Sequence, residues 1–289
     1  AWSFRNKRPP QSLHGHSLAT EWKLLYKDCM QRDDPIERRI REMAERYRYL
    51  REHEWYYYLL SSEKLNGSKV VIQGREMLML ASYSYLDLID HPRIKAAAKQ
   101  AIDEFSTGTH GVRLLAGSTR VHDELESRIA RFKNREAAVT YASGYVTNLS
   151  VISALCGHTD YVLSDRLNHA SIVDGCRLSG AKFLRFKHND MLDLRRRLRL
   201  IPARAGKLVI VDAVFSMDGD IINLPALREL CDAYKAWLMV DEAHSVGVLG
   251  ASGHGIEEHF AMPGAIDICM GTLSKAIPSI GGYIAGGSD

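Results

Sequence analysis

The chain has 289 residues, and 38 Lys and Arg against 35 Asp and Glu leave a formal net charge of +3. Hydrophobic residues make up 46% and charged residues 25%, which excludes collagen, coiled coil and wholesale disorder, since each needs a strong compositional bias. No apolar run approaches the roughly 20 residues that span a bilayer, and a near-balanced charge gives no reason to expect nucleic acid as a partner.

Residues 1–16 hold Pro9-Pro10 and His14-Gly15-His16 without periodicity, which reads as a linker or arm leaving a preceding domain. They lack the apolar core of a secretory signal. Residues 17–88 read as an N-terminal helical segment and a small hairpin. A helix is expected from Glu21 to Leu60, with a start signal at Asp33-Asp34-Pro35. Ile36, Ile40, Met43 and Tyr47 recur at helical spacing, and the arginines and glutamates between them describe a solvated face more than an RNA-binding stripe. Lys69–Gln73, Gly74 and Met77–Leu80 form the expected hairpin.

From 89 to 289 the pattern becomes regular and reads as one large domain. Helices are expected near 92–104, 119–132, 145–155, 169–179, 190–199 and 224–235. Between them lie apolar runs at 138–141, 160–163, 183–186, 208–211, 237–240, 268–270 and 283–285. This alternation predicts an α/β, three-layer fold with a mostly parallel central sheet covered by helices on both faces. Ligands of such sheets bind at the carboxyl ends of the strands, so the chemistry belongs just after each apolar run. Five cysteines are scattered without a CxxC pair, a pattern of reduced thiols in a cytoplasmic protein; no metal site is expected.

Five polar clusters follow the strand runs: Ser143-Gly144-Tyr145, Asp165–His169, Ser216–Gly219, Asp241-Glu-Ala-His244 and Thr272-Leu-Ser-Lys275. A lysine at the end of a buried strand is partly desolvated, which lowers its pKa and frees a nucleophilic amine. Taken alone, one of the chain's many lysines is far more often an ordinary surface residue. Asp241 can pair with a cationic ring nitrogen or cap the next turn. His244 can bond a phenolic oxygen or be a satisfied polar residue. Gly144 and Tyr145 open a helix whose free N–H groups suit a phosphate, though Ser-Gly is also ordinary turn chemistry. His169 either lies flat on a planar cofactor or caps its helix. Gly108–Gly111 and Gly117–Thr119 read as mobile, close-approach loops whose glycines indicate flexible backbone. Asp-Glu-Ala-His also matches a helicase magnesium box, but the G-x-x-x-x-G-K-[ST] loop that a helicase needs is missing from the sequence.

Together, Gly108–Ser118, Tyr141–Tyr145, Asp165–Ser171, Val214–Asp220, Met239–His244 and Gly271–Lys275 resemble the α-oxoamine synthase family over about residues 40–289. These are pyridoxal-phosphate (PLP) enzymes of the aspartate-aminotransferase fold, fold type I, and include 8-amino-7-oxononanoate synthase and serine palmitoyltransferase. The resemblance implies that Lys275 is the Schiff-base lysine, Asp241 the acid on the pyridine nitrogen, and His244 and Ser216 the groups at the phenolic oxygen. It makes His169 the ring-stacking histidine, Gly144 and Tyr145 the backbone pair near the cofactor, and Thr272 a phosphate ligand. It implies condensation of an amino acid with an acyl-CoA or acyl-carrier-protein thioester, usually with loss of CO2, in a homodimer whose Gly108–Ser118 loop completes the neighbour's site. Transamination or aldol cleavage on the same scaffold is the alternative; a non-catalytic partner subunit is disfavoured by the presence of Lys275. Relatives continue into a smaller C-terminal domain bearing an arginine for the substrate carboxylate, so a chain ending at Asp289 is expected to be an inactive piece. Ser84 stands where relatives often have asparagine, and Ala276–Gly282 leans slightly toward serine palmitoyltransferase.

Overall fold

The computed structural model describes residues 34–289, in two compact units that divide between Ser62 and Glu63. The arm expected over 1–16 and the first turns of the expected helix, up to residue 33, lie outside the described residues.

In the first unit, helix α1 spans Pro35–Glu52. Asp34 caps it, accepting from Ile36 N at 2.6 Å, with proline at the first helical position, as the start signal predicts. The helix does not reach Leu60. It stops at Glu52, and Trp55 N closes its end on Leu50 O at 2.8 Å. The aromatic run explains the stop, because the chain turns back to pack its rings on the last two turns. Tyr56 meets Tyr47 edge-on at 4.9 Å, Trp55 meets Tyr49 at 6.0 Å, and the Arg51 guanidinium lies over Tyr47 and Tyr56. Aromatic residues also give up rotamer freedom in a helix. The stripe of Ile36, Ile40, Met43 and Tyr47 is present and exposed.

The second unit opens with an antiparallel meander of β1 (Lys64–Asn66), β2 (Lys69–Ile72) and β3 (Arg75–Leu78). Gln73 and Gly74 both have positive φ (50° and 71°), the geometry of a two-residue hairpin turn. The expected hairpin is therefore present, with one further strand too short to leave a sequence pattern.

The main sheet has seven strands: β4 (Ala137–Tyr141), β5 (Tyr161–Asp165), β6 (Lys182–Phe186), β7 (Lys207–Asp212), β8 (Trp237–Asp241), β9 (Ile268–Ser274) and β10 (Pro278–Gly286). Their order is β4-β10-β9-β8-β7-β5-β6, with only β10 antiparallel to its neighbours. The helices are α2 (Pro92–Phe105), α3 (Arg120–Phe132), α4 (Gly144–Leu155), α5 (Ala170–Leu178), α6 (Met191–Leu198), α7 (Leu224–Tyr234) and the short α8 (Ile256–His259). Most lie within a residue or two of their expected bounds.

Period-two alternation sorts the strand side chains between two cores. Val209, Val211, Leu238 and Val240 join Leu194, Leu198, Leu227 and Leu230 on one face. Leu208, Ile210 and Met239 join Val151, Ile152, Ile172 and Cys176 on the other. Every residue of β7 is buried, as a strand covered on both faces requires. Each fully buried aliphatic side chain contributes about 1.5–3 kcal/mol. The expected three-layer α/β fold is therefore present. Strand β6 lies on one side of β5, and β7 lies on the other. That reversal opens a crevice at the carboxyl ends of β5 and β7, where the polar clusters emerge.

Candidate active site

Four buried strands deliver the site. Asp165 ends β5, Asp212 ends β7, Asp241 ends β8, and Lys275 follows β9. Asp212 and Asp241 sit side by side in the β7–β8 register. Asp241 is 5% exposed, accepts from Asn148 Nδ2 and from Ala243 N, both at 2.9 Å, and has no cation within 4.0 Å among the described residues. Lys275 is half-buried, with its ammonium 5.7 Å from the centre of the Tyr83 ring. Burial lowers the Lys275 pKa, and the fields of Asp241 and Asp212 oppose that fall. Burial pushes the Asp212 carboxyl well up, and the neighbouring Asp241 charge pushes it further. A lysine and two acids therefore share one poorly hydrated pocket, where burial first, and then the like charge of Asp241, favours the protonated form of Asp212.

His244 is half-buried, and its Nδ1 lies 2.7 Å from the Tyr85 hydroxyl. Burial, then the Lys275 charge, lowers its pKa to about 4, so the ring is neutral at pH 7. Burial also raises the Tyr85 pKa, as does Tyr83. The phenol keeps its proton, and either its O–H or the ring Nδ1–H is the donor of this one hydrogen bond.

His169 caps α5, its Nδ1 accepting from Ser171 N at 3.2 Å, and its ring meets Tyr145 edge-on at 6.2 Å. Capping is thus one of its roles. Its backbone N–H donates to Asp212 Oδ2 at 2.9 Å, and Asn168 Oδ1 accepts from Asp212 N at 3.0 Å. Tyr145 donates its hydroxyl proton to Asp174. Gly144 begins α4 after the Ser143 cap. A Cβ on Gly144 would lie 3.2 Å from both Thr272 Oγ1 and Met270 Cε, so a side chain there would crowd the space beside the free N–H groups of the first turn.

The structure thus gathers Lys275, Asp241, His244, His169, Tyr145, Gly144 and Thr272 at one sheet edge. Ser216 is less tied in: it sits on an exposed turn after buried Phe215, and its hydroxyl has no hydrogen bond among the described residues. Gly117 shows close backbone approach, not a flexible loop, as the reason for its glycine. It is buried at the end of a single π-helical turn, and a Cβ there would collide with Gly111 O. Sequence reasoning gave no site role to Asp212 or Asn148, nor to Tyr83 and Tyr85, whose Ser-Tyr-x-Tyr segment it used only as a family resemblance. Asp212 carried a usable signal, since it ends an apolar strand just as Asp241 does.

Among the described residues no group of three or more His, Cys, Asp or Glu is arranged to hold a metal ion, and no helix is long and apolar enough to cross a membrane. Cys156, Cys176, Cys231 and Cys269 are buried and unpaired, with burial pushing their pKa values to about 11 for Cys156 and about 12 for the others.

The chain is 48% identical over 249 residues to 8-amino-7-oxononanoate synthase of Geobacter sulfurreducens, a match covering 86% of this chain and 64% of the relative. It is 43% identical over 234 residues to serine palmitoyltransferase of Sphingobacterium spiritivorum, covering 81% and 59%. It spans less than two thirds of the length of these relatives. Among solved structures, a serine palmitoyltransferase from S. paucimobilis with a bound PLP–myriocin aldimine superposes with a TM-score of 0.84 at 34% identity, over 88% of this chain and 64% of that one. An 8-amino-7-oxononanoate synthase from Francisella tularensis superposes at 0.60 with 30% identity, over 71% and 57%. These are the two enzymes named with the α-oxoamine synthase resemblance, which the relatives bear out. The family pattern for aminotransferases of class I and II matches residues 75–289, and with the strand-end lysine and acid in place, the chain belongs to that family.

Proposed function

We propose that this chain is the cofactor-binding part of a PLP-dependent α-oxoamine synthase, which condenses an amino acid with an acyl-CoA or acyl-carrier-protein thioester. Loss of CO2 and release of the thiol would leave an α-amino ketone. The observation that carries the reading is the half-buried Lys275 amine, under the field of two adjacent buried acids and with no ion-pair partner within 4.0 Å among the described residues. Buried Asp241 likewise has no cation within 4.0 Å among the described residues, which suits a protonated ring nitrogen. The Gly144 cradle and the first-turn N–H groups of α4 suit a phosphate, so the residues present fit the cofactor. The PLP-bound serine palmitoyltransferase neighbour supports the same assignment.

When bound, pyridoxal phosphate supplies an electron-withdrawing ring that stabilises negative charge at the amino acid's α-carbon. Asp241 would hold the ring nitrogen. Thr272, Gly144 and Tyr145 would hold the phosphate end, and His244 would reach the phenolic oxygen together with Ser216. His169 would lie against the ring. Lys275, whose amine burial holds below the usual lysine pKa, is the group placed to give up and recover a proton. The exposed Val112, Leu114 and Leu115 suit burial by a second copy, and four unpaired cysteines suit a reducing, cytoplasmic setting.

The test adds pyridoxal phosphate to the purified protein and records its visible absorption. The cofactor's band should shift on binding, and Lys275→Ala should remove the shift. Given amino acid and acyl thioester, a protein that also carries the C-terminal part of these relatives should then release free thiol. Keto acid without thiol would point instead to an aminotransferase, and a band unchanged in Lys275→Ala would overturn the assignment.

A further inference from the structure

One amide bridges the acid of the site to its histidine. Asn148, on α4, is 1% exposed, and its Nδ2 donates one hydrogen to Asp241 Oδ2 and the other to Ser171 Oγ, both at 2.9 Å. The reverse amide orientation would set Oδ1 against the Asp241 carboxylate, so the orientation is fixed. Oδ1 itself is buried without a hydrogen-bond partner. An unmet buried acceptor is destabilising, and an apolar side chain of this shape would avoid it, so stability does not explain the asparagine. Its nitrogen does.

Ser171 Oγ accepts from Asn148, and its own hydrogen remains for His169 Nδ1, 2.8 Å away. Ser171 N–H points at the same Nδ1 from 3.2 Å. Two donors aimed at one ring nitrogen exclude a proton there. We infer that Asn148 and Ser171 are positioning residues that fix His169 as the Nε2–H tautomer and join its ring to the Asp241 carboxylate through one unbroken set of hydrogen bonds. The purpose of the device rests on the proposed cofactor reading; the geometry stands without it. The exposed edge of His169 then offers a fixed donor, never an acceptor, to whatever reacts above the ring, and the tautomer is set from behind.

The test is ring-nitrogen NMR on protein carrying [15N]histidine, without cofactor, with His169 assigned by its disappearance in His169→Asn. The parent should show a single Nε2–H pattern. Ser171→Ala, which removes one oxygen atom, should replace it with a mixture of both tautomers, and Ser171→Thr should restore it. Asn148→Leu should admit the second tautomer to a smaller extent. An Nδ1–H pattern in the parent, or a Ser171→Ala spectrum identical to the parent's, would overturn the inference. Should Ser171→Ala not fold, the parent spectrum alone still decides. Pyridoxal phosphate added afterwards separates the two readings. A parent with the Nε2–H pattern that binds no cofactor sinks the function and leaves the network standing, whereas an Nδ1–H parent that binds it does the reverse.

Discussion

Lys133→Met tests the frame beneath the site. The Lys133 ammonium is 2.5 Å from Glu242 Oε2, with side chains 2% and 0% exposed, and donates to His254 O at 2.6 Å. Lys133 is the one cation at Oε2 among the described residues, so the contact joins two opposite buried charges. Glu242 follows Asp241 directly, and its Oε1 accepts from Ile256 N at 2.9 Å and Ser245 Oγ at 3.2 Å, pinning the loop between β8 and α8. Without the ammonium a fully buried carboxylate stands unpaired, which costs about 3–5 kcal/mol. At roughly 2–4 °C per kcal/mol for a chain of this size, the melting temperature should fall by about 6–20 °C. Lys133→Met with Glu242→Gln removes both charges and should recover most of that loss, so calorimetry on the four proteins of the cycle measures the coupling. A single-variant loss below about 1 kcal/mol, or a double variant as unstable as Lys133→Met, would refute a buried, charge-held pair.

Other consequences follow from the same contacts. His188 stands between Asp165 Oδ1 (3.0 Å) and Asp220 Oδ2 (2.6 Å); burial opposes its charge, but the two carboxylates outweigh burial and raise its pKa. Its stabilising effect is therefore complete below the unfolded value of about 6.5 and disappears as pH rises through the folded one. Melting temperature should decline through that window, and His188→Gln should flatten the decline; an unchanged slope would refute the clamp. Gly144→Ala puts a methyl 3.2 Å from Thr272 Oγ1 and should weaken pyridoxal phosphate binding in a titration while leaving the fold intact; unaltered affinity would exclude this cradle. Because burial and Asp241 favour the protonated form of Asp212, the amide of Asp212→Asn imitates it, and the variant should melt within about 1 kcal/mol of the parent. A large loss would mean that Asp212 is ionised.

Much of this architecture was legible because sheets buried on both faces write themselves as uninterrupted apolar runs. Leu208–Val211 and Trp237–Val240 became β7 and β8, and each handed over to a polar cluster at the ligand edge. The helix expected up to Leu60 failed because a stripe such as Ile36, Ile40 and Met43 says where a helix can run, whereas its end depended on rings packing backward onto Tyr47 and Tyr49. Lys275 and Asp241 were readable as strand-end residues. Asn148 and Tyr85 were not, since each matters through a partner remote in sequence, Asp241 and His244, and no local spacing encodes such a contact. Asp212 had the same strand-end position as Asp241 but was overshadowed by the Ser216 cluster four residues later.

Chemical trapping tests the central claim most directly. The protein is incubated with pyridoxal phosphate, reduced with borohydride, digested, and mapped by mass spectrometry. A pyridoxyl group on Lys275, lost when Asp241 is replaced by alanine, is the predicted result. Label spread over surface lysines, or confined to a lysine other than Lys275, would contradict the account.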